Sequence, residues 1–394
     1  MFQLTFLLCL AHLGWTDPVS YWSFDAIDDS MVLESESDLN LFISGASISQ
    51  GALNGGLYFD GIDDFAFSDS IESVRQTIGT LHEGTISAWF RFDSHPGFMD
   101  IETIFYLGAE NTYSNFGTSA NCYELEVGHF NSEKRLYWTN ISTPKEDTSV
   151  PLCWSTTNEL GIGSWYHVVS ATSDLGTHVY INNVEIYNSA GLTWQFGNDS
   201  MRRFLYDVVQ QEVLWFGKGL WNNEPQYFEG VIDEFKIWDY SISSEEVTEE
   251  YERVASTGSL LIDDYFPQEC ILDESDFELH GSFHNIVKLQ WQIGSGDVIT
   301  EYINDIGTTW NLLINEEVPP GRHEIKVIGR NATNRPFSDS RMLVQPDMNS
   351  DQKVDIQDLL LLFNNWGICN CPEDLSGNGE VDIPDILILI GSWS

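Results

Sequence analysis

Two acidic segments near the C-terminal end hold the residues whose types and spacing best suit metal chemistry. Residues 347–367 align with residues 374–394 at a period of 27, and eight of 21 aligned positions are identical. Oxygen-bearing side chains stand at positions 1, 3, 5, 9 and 12, which with the carbonyl of position 7 is the spacing of a calcium-binding EF-hand loop. The predicted ligands are Asp347, Asn349, Asp351, Lys353 (carbonyl), Asp355 and Asp358, then Asp374, Ser376, Asn378, Glu380 (carbonyl), Asp382 and Asp385. Acidic turns without metal are the alternative, and two copies in register argue against it.

The sixth loop position separates the two copies. Calcium loops place glycine there because the chain turns sharply. Gly379 meets this requirement, whereas Gln352 does not and is predicted to adopt an unfavourable φ. The first loop offers four ionised ligands and the second three. Because affinity rises with ligand charge, we expect the first loop to bind more tightly unless strain at Gln352 offsets the extra charge.

An apolar run that should be helical follows each loop, at residues 359–363 and 386–390. Pro384 stands near the start of the second helix, where its missing N–H costs little. This loop-and-helix duplication resembles a type I dockerin, the calcium-dependent docking module of cellulosomal and related secreted proteins. The resemblance covers residues 347–394 and implies a C-terminal all-α domain that folds with calcium and binds a cohesin partner. The dockerin recognition pair is Ile356-Gln357 in one copy and Ile383-Pro384 in the other, a difference that argues against symmetric dual binding.

Residues 19–240 carry short runs of alternating apolar and polar residues separated by turns, a pattern typical of a β-sandwich or jelly roll. In the run at 84–92, Ile86, Ala88 and Phe90 alternate with the residues between them. Further strands are predicted at residues 165–171, 177–181, 213–216 and 230–238. Asn182-Asn183 predicts a tight hairpin turn, and residues 243–253 read as a helix that Ser243 caps.

Five ordered motifs in this block carry a second resemblance. They are VSYWSFD at 19–25, GLYFDGIDDF at 56–65, GTISAWF at 84–90, WYHVV at 165–169 followed by VYIN at 179–182, and GVIDEFKIW at 230–238. Together they resemble the LamG-like, concanavalin A-type jelly roll, to which we assign residues 17–254. The resemblance implies carbohydrate binding or, in some relatives, hydrolysis. It also implies one structural calcium, with Asp25 and Asp233 as carboxylate ligands.

Sugar binding requires exposed aromatic faces with polar partners nearby. Trp138, Trp194 and Trp221 fall in loop-like stretches, and Asn222-Asn223-Glu224 follows the last of them. These three tryptophans are the candidate ligand-binding residues. The alternative is that they pack inward, since tryptophan is mostly buried on average.

Residues 258–346 form a second alternating block that suggests a small immunoglobulin-like or fibronectin-like sandwich. Retaining glucanases of the concanavalin A-type fold use an E-x-D-x-E strand that places three carboxylates on one face. Glu274, Asp276 and Glu278 have that spacing but lie beyond the jelly roll. The competing interpretation is an exposed strand whose acids face solvent while Phe277 and Leu279 face the core.

The N-terminal segment and the cysteines indicate whether the protein is exported from the cell. Residues 2–13 are mostly apolar and have the length of a signal-peptide core, although the first basic residue is Arg75. We predict a signal peptide at residues 1–16; a misplaced start or a buried first strand are the alternatives. Cys122 and Cys153 flank an insertion and are the best candidates for a disulfide. Cys369 and Cys371 are separated by one residue, so a bridge between them would be a tight ring.

Composition excludes several classes of function. The 394 residues include 17 Lys plus Arg and 61 Asp plus Glu, for a net charge of −44, which argues against nucleic acid and anionic membrane partners. A hydrophobic fraction of 42%, with 13% aromatic residues, nevertheless supports a folded core.

The prediction is a mainly β, secreted, calcium-binding modular protein without catalysis. It would bind glycan or protein through the jelly roll and a cohesin-like partner through the tail. The alternatives are a secreted glycoside hydrolase acting on polysaccharide and a structural adhesin that binds no sugar.

Overall fold

The computed structural model describes most of the chain as two compact units. The described residues are 16–94, 101–110, 122–130, 133–141, 152–154, 160–187, 204–208, 210–221, 224–263, 269–272, 277–302, 309–314 and 318–393. The units are Met1–Ser47 with Tyr58–Val247, and Ile48–Leu57 with Thr248–Ser394. Within the described residues, no helix is long and apolar enough to cross a membrane. The predicted signal peptide lies almost wholly outside the described residues.

The N-terminal block is built from many short strands, as its alternating sequence predicts. The strands are β1 Ser20–Trp22, β2 Met31–Val32, β3 Leu41–Ser44, β4 Ser47–Gln50, β5 Gly55–Asp60, β6 Phe65–Phe67, β7 Gly84–Phe92, β8 Ile101–Gly108, β9 Cys122–Phe130, β10 Glu133–Ile141, β11 Leu152–Trp154, β12 Trp165–Ser173, β13 Gly176–Ile181, β14 Val184–Tyr187, β15 Val213–Phe216, β16 Lys218–Trp221, β17 Glu224–Tyr227 and β18 Glu229–Trp238. The helices are α1 Ile71–Thr77, α2 Ser244–Ala255 and a 3₁₀ turn at Leu205–Asp207.

These strands assemble into two large sheets and a hairpin. Sheet A has the order β14-β13-β12-β7-β18-β5-β4, and β1 also pairs with β18. Sheet B has the order β11-β10-β9-β8-β15-β6-β3-β2, and β16 pairs with β17 as a separate hairpin. Half of the neighbouring pairs in the two large sheets join strands that are not consecutive in sequence, and the pairing is antiparallel, which is the arrangement of a jelly roll. The mainly β prediction for this block is confirmed.

Aromatic rings join the inner faces of the two sheets. Phe105 of sheet B stacks on Phe235 of sheet A, with 4.9 Å between ring centroids. Phe216 of sheet B meets the edges of Phe235 and Trp22 at 4.8 and 5.3 Å. All four side chains are fully buried. Because fully burying one such ring stabilises the fold by about 1.5–3 kcal/mol, this inner layer determines which face of each strand turns inward.

Two local predictions for this block are confirmed. Asn182 and Asn183 have φ values of 48° and 63°, as the tight turn between β13 and β14 requires. The predicted cap of α2 is also present, because Ser243 and Glu246 exchange hydrogen bonds. Asparagine suits the turn between β13 and β14 because, with its short polar side chain, it tolerates the left-handed backbone region better than most residues do.

The second unit contains a smaller β-sandwich. Its strands are β19 Ser259–Ile262, β20 Glu269–Ile271, β21 Phe277–His284, β22 Lys288–Ile293, β23 Ile299–Tyr302, β24 Thr309–Ile314, β25 Gly321–Arg330 and β26 Pro336–Gln345. They form sheets of order β19-β21-β24 and β20-β26-β25-β22-β23. Leu279, Trp291 and Leu343 belong to the buried core of this sandwich. A small sandwich is therefore present, and its immunoglobulin-like nature stays a prediction.

The tail carries two helices, α3 Ile356–Asn364 and α4 Ile383–Gly391. It is not the all-α domain that the sequence predicted, because β27 Gly367–Ile368 pairs antiparallel with β28 Glu380–Val381. The physical reason is that the chain leaving α3 runs beside the second loop, and their backbone groups satisfy one another. The tail core is shared with the sandwich, since Val344 of β26 packs in one cluster with Leu362 and Leu389 of the helices.

Candidate functional site

The first tail loop is closed by a buried aspartate at its twelfth position. The Asp358 carboxylate accepts hydrogen bonds from the backbone N–H groups of Met348, Asn349 and Asp355 at 2.8, 3.1 and 2.8 Å. These donors come from positions 2, 3 and 9, so one side chain joins both ends of the loop. Asp358 also caps α3 in a capping box with Asp355. One residue therefore links the loop to its helix.

Asp385 repeats this arrangement in the second loop. Its carboxylate accepts from the N–H groups of Ser376 and Asp382, each at 2.7 Å. Asp358 and Asp385 are both 0% exposed. In the part of the chain that the structure describes, neither forms an ion pair with a basic side chain. A buried carboxylate is costly unless a charge or several donors compensate it, and a bound cation would supply the missing charge.

The first positions of the two loops are also equivalent. Asp347 accepts from the N–H groups of Asp351 and Gln352 at 3.2 and 2.7 Å. Asp374 accepts from the N–H groups of residues 377–379 at 2.8, 3.1 and 2.8 Å. Both side chains therefore hold the turn that follows them, in the same register.

The predicted strain at the sixth position is confirmed. Gln352 has φ 68° and Gly379 has φ 90°. The fourth positions match as well, because Ser350 and Gly377 have φ values of 56° and 71°. Both loops thus have the same backbone conformation at positions 4 and 6. The first loop adopts it without glycine, the residue that has no steric cost at positive φ.

The predicted calcium ligands share two loops but do not converge tightly. In the described part of the chain, three Asp, Glu, His or Cys ligand atoms lie within 4.8 Å of one another at two places only, Asp60, Asp63 and Asp64, and Cys369, Cys371 and Glu373. The loop side chains bind one another and the loop amides instead. For example, the position-7 N–H groups of Lys353 and Glu380 donate to the position-5 side chains of Asp351 and Asn378. Asp355 and Asp382 begin the helices as N-caps.

Each tail helix exposes an apolar stripe, and the two stripes have the same spacing of 4, 3 and 3 residues. Every member is roughly half exposed; the members are Ile356, Leu360, Phe363 and Trp366 in the first copy and Ile383, Leu387, Ile390 and Trp393 in the second. Residues spaced by three or four lie on one helix face, and each tryptophan stands two residues beyond the end of its helix. Contiguous exposed apolar surface of this kind is typical of interaction sites.

An aromatic row crosses the outer face of sheet B. The antiparallel register aligns Phe42 with Phe67, Phe67 with Trp215, and Trp215 with Tyr106 across β3, β6, β15 and β8. Phe42 lies 5.9 Å from Phe67, and Tyr106 stacks on Trp215 at 5.5 Å between ring centroids. Phe65 lies against Trp215 on the same face. Tyr106 is fully buried and Trp215 is 8% exposed, so the accessible part of the row consists of the half-buried Phe42, Phe65 and Phe67.

A pair of buried carboxylates continues this row on β9. Glu124 pairs with Tyr106, and Glu126 lies two residues further on the same face. Burial raises the pKa of Glu124 well above its ordinary value, and the negative charge of Glu126 raises it further. Burial and the same two glutamates also raise the pKa of the Cys122 thiol. Burial and the neighbouring Glu126 charge therefore favour the protonated form of Glu124. Sequence analysis missed it, although the E-x-E spacing inside an alternating run was the available signal.

The carboxylates that the jelly-roll resemblance predicted as calcium ligands or as catalytic residues do not lie together in the described part of the structure. Asp233 is fully buried on β18, whereas Asp25 is exposed beyond the end of β1. Neither joins a three-ligand cluster among the described residues. Glu274 and Asp276 lie outside the described residues. Glu278 is exposed on β21, where Asn311 donates to it, while Leu279 is buried, as the exposed-strand interpretation predicted.

The side chains of the three candidate sugar-binding tryptophans lie outside the described part of the structure. Trp194 lies outside the described residues. Trp138 is on β10 and Trp221 ends β16, and only their backbone belongs to the described part.

The predicted disulfide between Cys122 and Cys153 is wrong. Cys122 is a buried free thiol on β9, and Cys153 belongs to β11, with β10 between them. Strands two apart in a sheet are separated by about 9–10 Å, beyond the reach of a disulfide. Cys369 and Cys371 are paired instead.

Comparison with known proteins identifies the class of the N-terminal block. Residues 64–248 match the sequence model of the concanavalin A-like lectin/glucanases superfamily. No curated protein matches the chain. Together with the two-sheet topology, the match defines residues 64–248 as a LamG-like, concanavalin A-like jelly-roll domain.

Solved structures give distant likenesses. Domain 4 of AbnA, a GH43 extracellular arabinanase from Geobacillus stearothermophilus solved with arabinotriose, has 16% identity and a TM-score of 0.39, covering 60% of this chain and 98% of that one. The CBM40 of the Ruminococcus gnavus IT-sialidase, bound to α2,3-sialyllactose, has 14% identity and a TM-score of 0.38, covering 52% and 98%. The receptor-binding domain of botulinum neurotoxin C/D mosaic serotype has 10% identity and a TM-score of 0.44, covering 82% and 72%. At such values the likenesses carry no argument about function.

Replacing Gln352 with glycine should stabilise the first tail loop. Glycine adopts φ 68° without the steric cost that a side chain adds, and the expected gain is about 1 kcal/mol. Slower amide hydrogen exchange in residues 347–364 of the full chain would measure it. Gly379→Ala at the equivalent position is the matched control and should accelerate exchange in the second loop. Equal exchange in Gln352→Gly and the parent would contradict the strain.

Replacing Glu124 with glutamine should stabilise the jelly roll in a pH-dependent way. The folded state retains the Glu124 proton above pH 4.5, where the unfolded chain releases it, so stability of the parent falls as pH rises from there. Glutamine removes this loss. We expect little difference at pH 4 and a gain in the free energy of unfolding that grows as pH rises from 4.5 toward 8, measured by urea unfolding. Glu224→Gln, at an exposed site on β17, should show no such trend. A gain in the free energy of unfolding that does not change with pH would contradict the raised pKa of Glu124.

Proposed function

We propose that this protein is a secreted, calcium-binding modular protein that binds carbohydrate through its jelly roll and docks to a cohesin-type partner through residues 347–394. The observation that carries the proposal is the duplicated loop, in which Asp358 and Asp385 each accept hydrogen bonds from the backbone N–H groups of loop positions 3 and 9. The sandwich of residues 258–346 would act as an immunoglobulin-like spacer. Residues 1–16 would direct export.

Calcium fits the donor set of both tail loops. Each offers carboxylates, an amide or hydroxyl oxygen and a backbone carbonyl, which are the hard oxygen ligands that calcium selects. The buried charge of Asp358 and Asp385 adds support, because a cation in the loop would compensate it. Small rotations of exposed side chains such as Asp351 would bring further oxygens to the ion. Asp25 and Asp233 remain candidates for a separate jelly-roll site.

The two exposed helix stripes support docking. Their spacing is identical in both copies, so the duplication preserved the surface as well as the loops. Ile356 and Ile383 begin the stripes, and each follows a predicted position-9 ligand, Asp355 or Asp382. Metal bound in a loop would hold the start of the helix and thereby the stripe. This arrangement suits a partner that recognises the tail only with calcium present.

The aromatic row on sheet B supports carbohydrate binding. Sugar rings present apolar C–H faces that pack on aromatic side chains, and polar groups around them supply specificity. Phe42, Phe65 and Phe67 are half-buried and form such a surface, while Trp215 and Tyr106 continue the row as buried support. Trp138, Trp194 and Trp221 remain further candidates for contact with sugar.

Hydrolysis is the second candidate, and one observation favours it. Glu124, whose pKa is raised by burial, lies beside the carboxylate of Glu126, and a glycoside hydrolase uses two such carboxyl groups as acid and base. If the protein is an enzyme, these residues in the jelly roll are better placed than Glu274 and Glu278 in the second unit. Their burial argues against a substrate reaching them directly.

Calcium titration of the full chain tests the tail. After chelation, calorimetry should find two tail sites, and Asp355→Asn and Asp382→Asn should each weaken one site tenfold or more. Asparagine still caps a helix, so both variants keep the fold. Asp297→Asn, at an exposed site outside the tail, is the control. The full chain is required because Val344 completes the tail core. An absence of calcium uptake would reject the calcium tail, and cohesin domains offered with and without calcium would then test docking.

A glycan array with calcium present tests the jelly roll. We expect binding to a subset of glycans and no release of reducing ends from a polysaccharide panel. Glu124→Gln and Glu126→Gln should leave binding unchanged. A blank array would favour the structural adhesin, whereas turnover that disappears in either glutamine variant would establish the hydrolase.

A further inference from the structure

Lys218 occupies an unusual position on the jelly roll. It opens β16, directly after the β15 strand that carries Trp215. Its ammonium nitrogen lies 4.1 Å from the ring centroid of Phe65, 4.5 Å from that of Trp215 and 5.7 Å from that of Tyr227. Tyr227 is its cross-strand partner in the β16–β17 hairpin. Three aromatic faces therefore surround one half-buried cation at the edge of the aromatic row.

The ammonium has three N–H donors, and the rings accept none of them as ordinary hydrogen bonds. Within the described residues, Lys218 forms neither a hydrogen bond nor an ion pair, and its recorded polar contacts are with the three rings. Burial lowers the pKa of Lys218, while the more distant Glu110 opposes the change. In the described ranges no acidic side chain forms an ion pair with Lys218, although the sequence contains 61 Asp plus Glu residues.

The Tyr227 hydroxyl is in a similar position. It likewise forms no hydrogen bond among the described residues, and burial raises its pKa. Lys218 and Tyr227 thus present two uncommitted donors beside Phe65 and Trp215. Aromatic faces with a few convergent polar groups are the composition of a small-ligand site.

We propose that Lys218, Tyr227, Phe65 and Trp215 form a subsite for an anionic sugar, one that carries a carboxylate or a sulfate ester. The proposal rests on the proposed carbohydrate binding and specifies its ligand class. The anionic group accepts from the ammonium and the phenol, and the apolar face of the sugar packs on the half-buried rings of Phe65 and Tyr227, whereas Trp215, which is 8% exposed, supports the lysine. A charge-assisted bond of this kind is about twice as strong as one to a neutral hydroxyl, so the anionic sugar is preferred.

The negative charge of the whole protein does not prevent this binding. Glu110 and Asp63 act electrostatically on Lys218 and Tyr227. At physiological ionic strength the Debye length is about 8 Å, so acids farther away act weakly on a ligand that contacts Lys218 directly. A densely charged polyanion would still approach several acids at once. The subsite therefore suits a single anionic residue within an otherwise neutral glycan.

The test compares three oligosaccharides of one backbone, with a neutral, a uronic acid or a sulfated terminal residue, by calorimetry on the full chain. The parent should bind at least one anionic form tenfold or more tightly than the neutral form, and the stronger of the two identifies the group. Lys218→Gln should abolish this preference, and Lys218→Arg should retain part of it. Added salt should weaken the anionic forms selectively. Lys326→Gln, an equal charge change at an exposed site in the second unit, should alter nothing.

The outcomes separate this inference from the proposed function. Binding of neutral and anionic forms with equal affinity, or a preference that survives in Lys218→Gln, overturns the subsite and leaves carbohydrate binding intact. Failure of all three to bind, together with a blank glycan array, overturns both. Near-ultraviolet circular dichroism of each variant verifies that the packing around Trp215 is retained.

Discussion

The packing of aromatic rings between sheets A and B is the interaction on which the rest of the jelly roll depends. Phe105, Phe216 and Phe235 meet at ring-centroid distances near 5 Å and are fully buried. Side chains along a strand alternate between two faces, so an inward Phe105 and Phe216 require an outward Tyr106 and Trp215. A slip of one residue would exchange the faces and bury the wrong set. The inner core thereby determines where the outer aromatic row and its polar neighbours lie.

The tail is organised by charge and backbone donors rather than by apolar volume. Its helices have nine residues each and leave an apolar stripe in solvent, so little of their surface contributes to a core. Asp358 and Asp385 compensate by linking loop amides to the first helical turn. Isolated helices of this length are marginal in water, which makes such links and the shared packing with Val344 necessary.

Sequence analysis succeeded where one local pattern determines the structure. Alternation predicted β7 and β18, paired asparagines predicted the turn after β13, and loop spacing predicted the positive φ of Gln352. It failed where the result depends on which strands become neighbours. The distance between Cys122 and Cys153 depends on β10 lying between them, and the β27–β28 ladder depends on how the tail folds back. The three aromatic rings around Lys218 likewise come from β6, β15 and the β16–β17 hairpin, and no local sequence pattern predicts that they lie together.

Two kinds of buried carboxylate in this acidic chain have different physical roles. Asp358 receives three backbone N–H groups, an environment that suits an anion and a cation bound to it. Glu124 instead faces Glu126 and a buried thiol, an environment in which a proton is the available counter-charge. The difference follows from secondary structure. A loop turns its amides inward and can surround a carboxylate with donors, whereas the amides of a central strand such as β9 are already committed to their ladders. Net charge alone therefore does not identify candidate cation sites, because the backbone around each acid decides whether its environment favours an anion or a protonated carboxyl group.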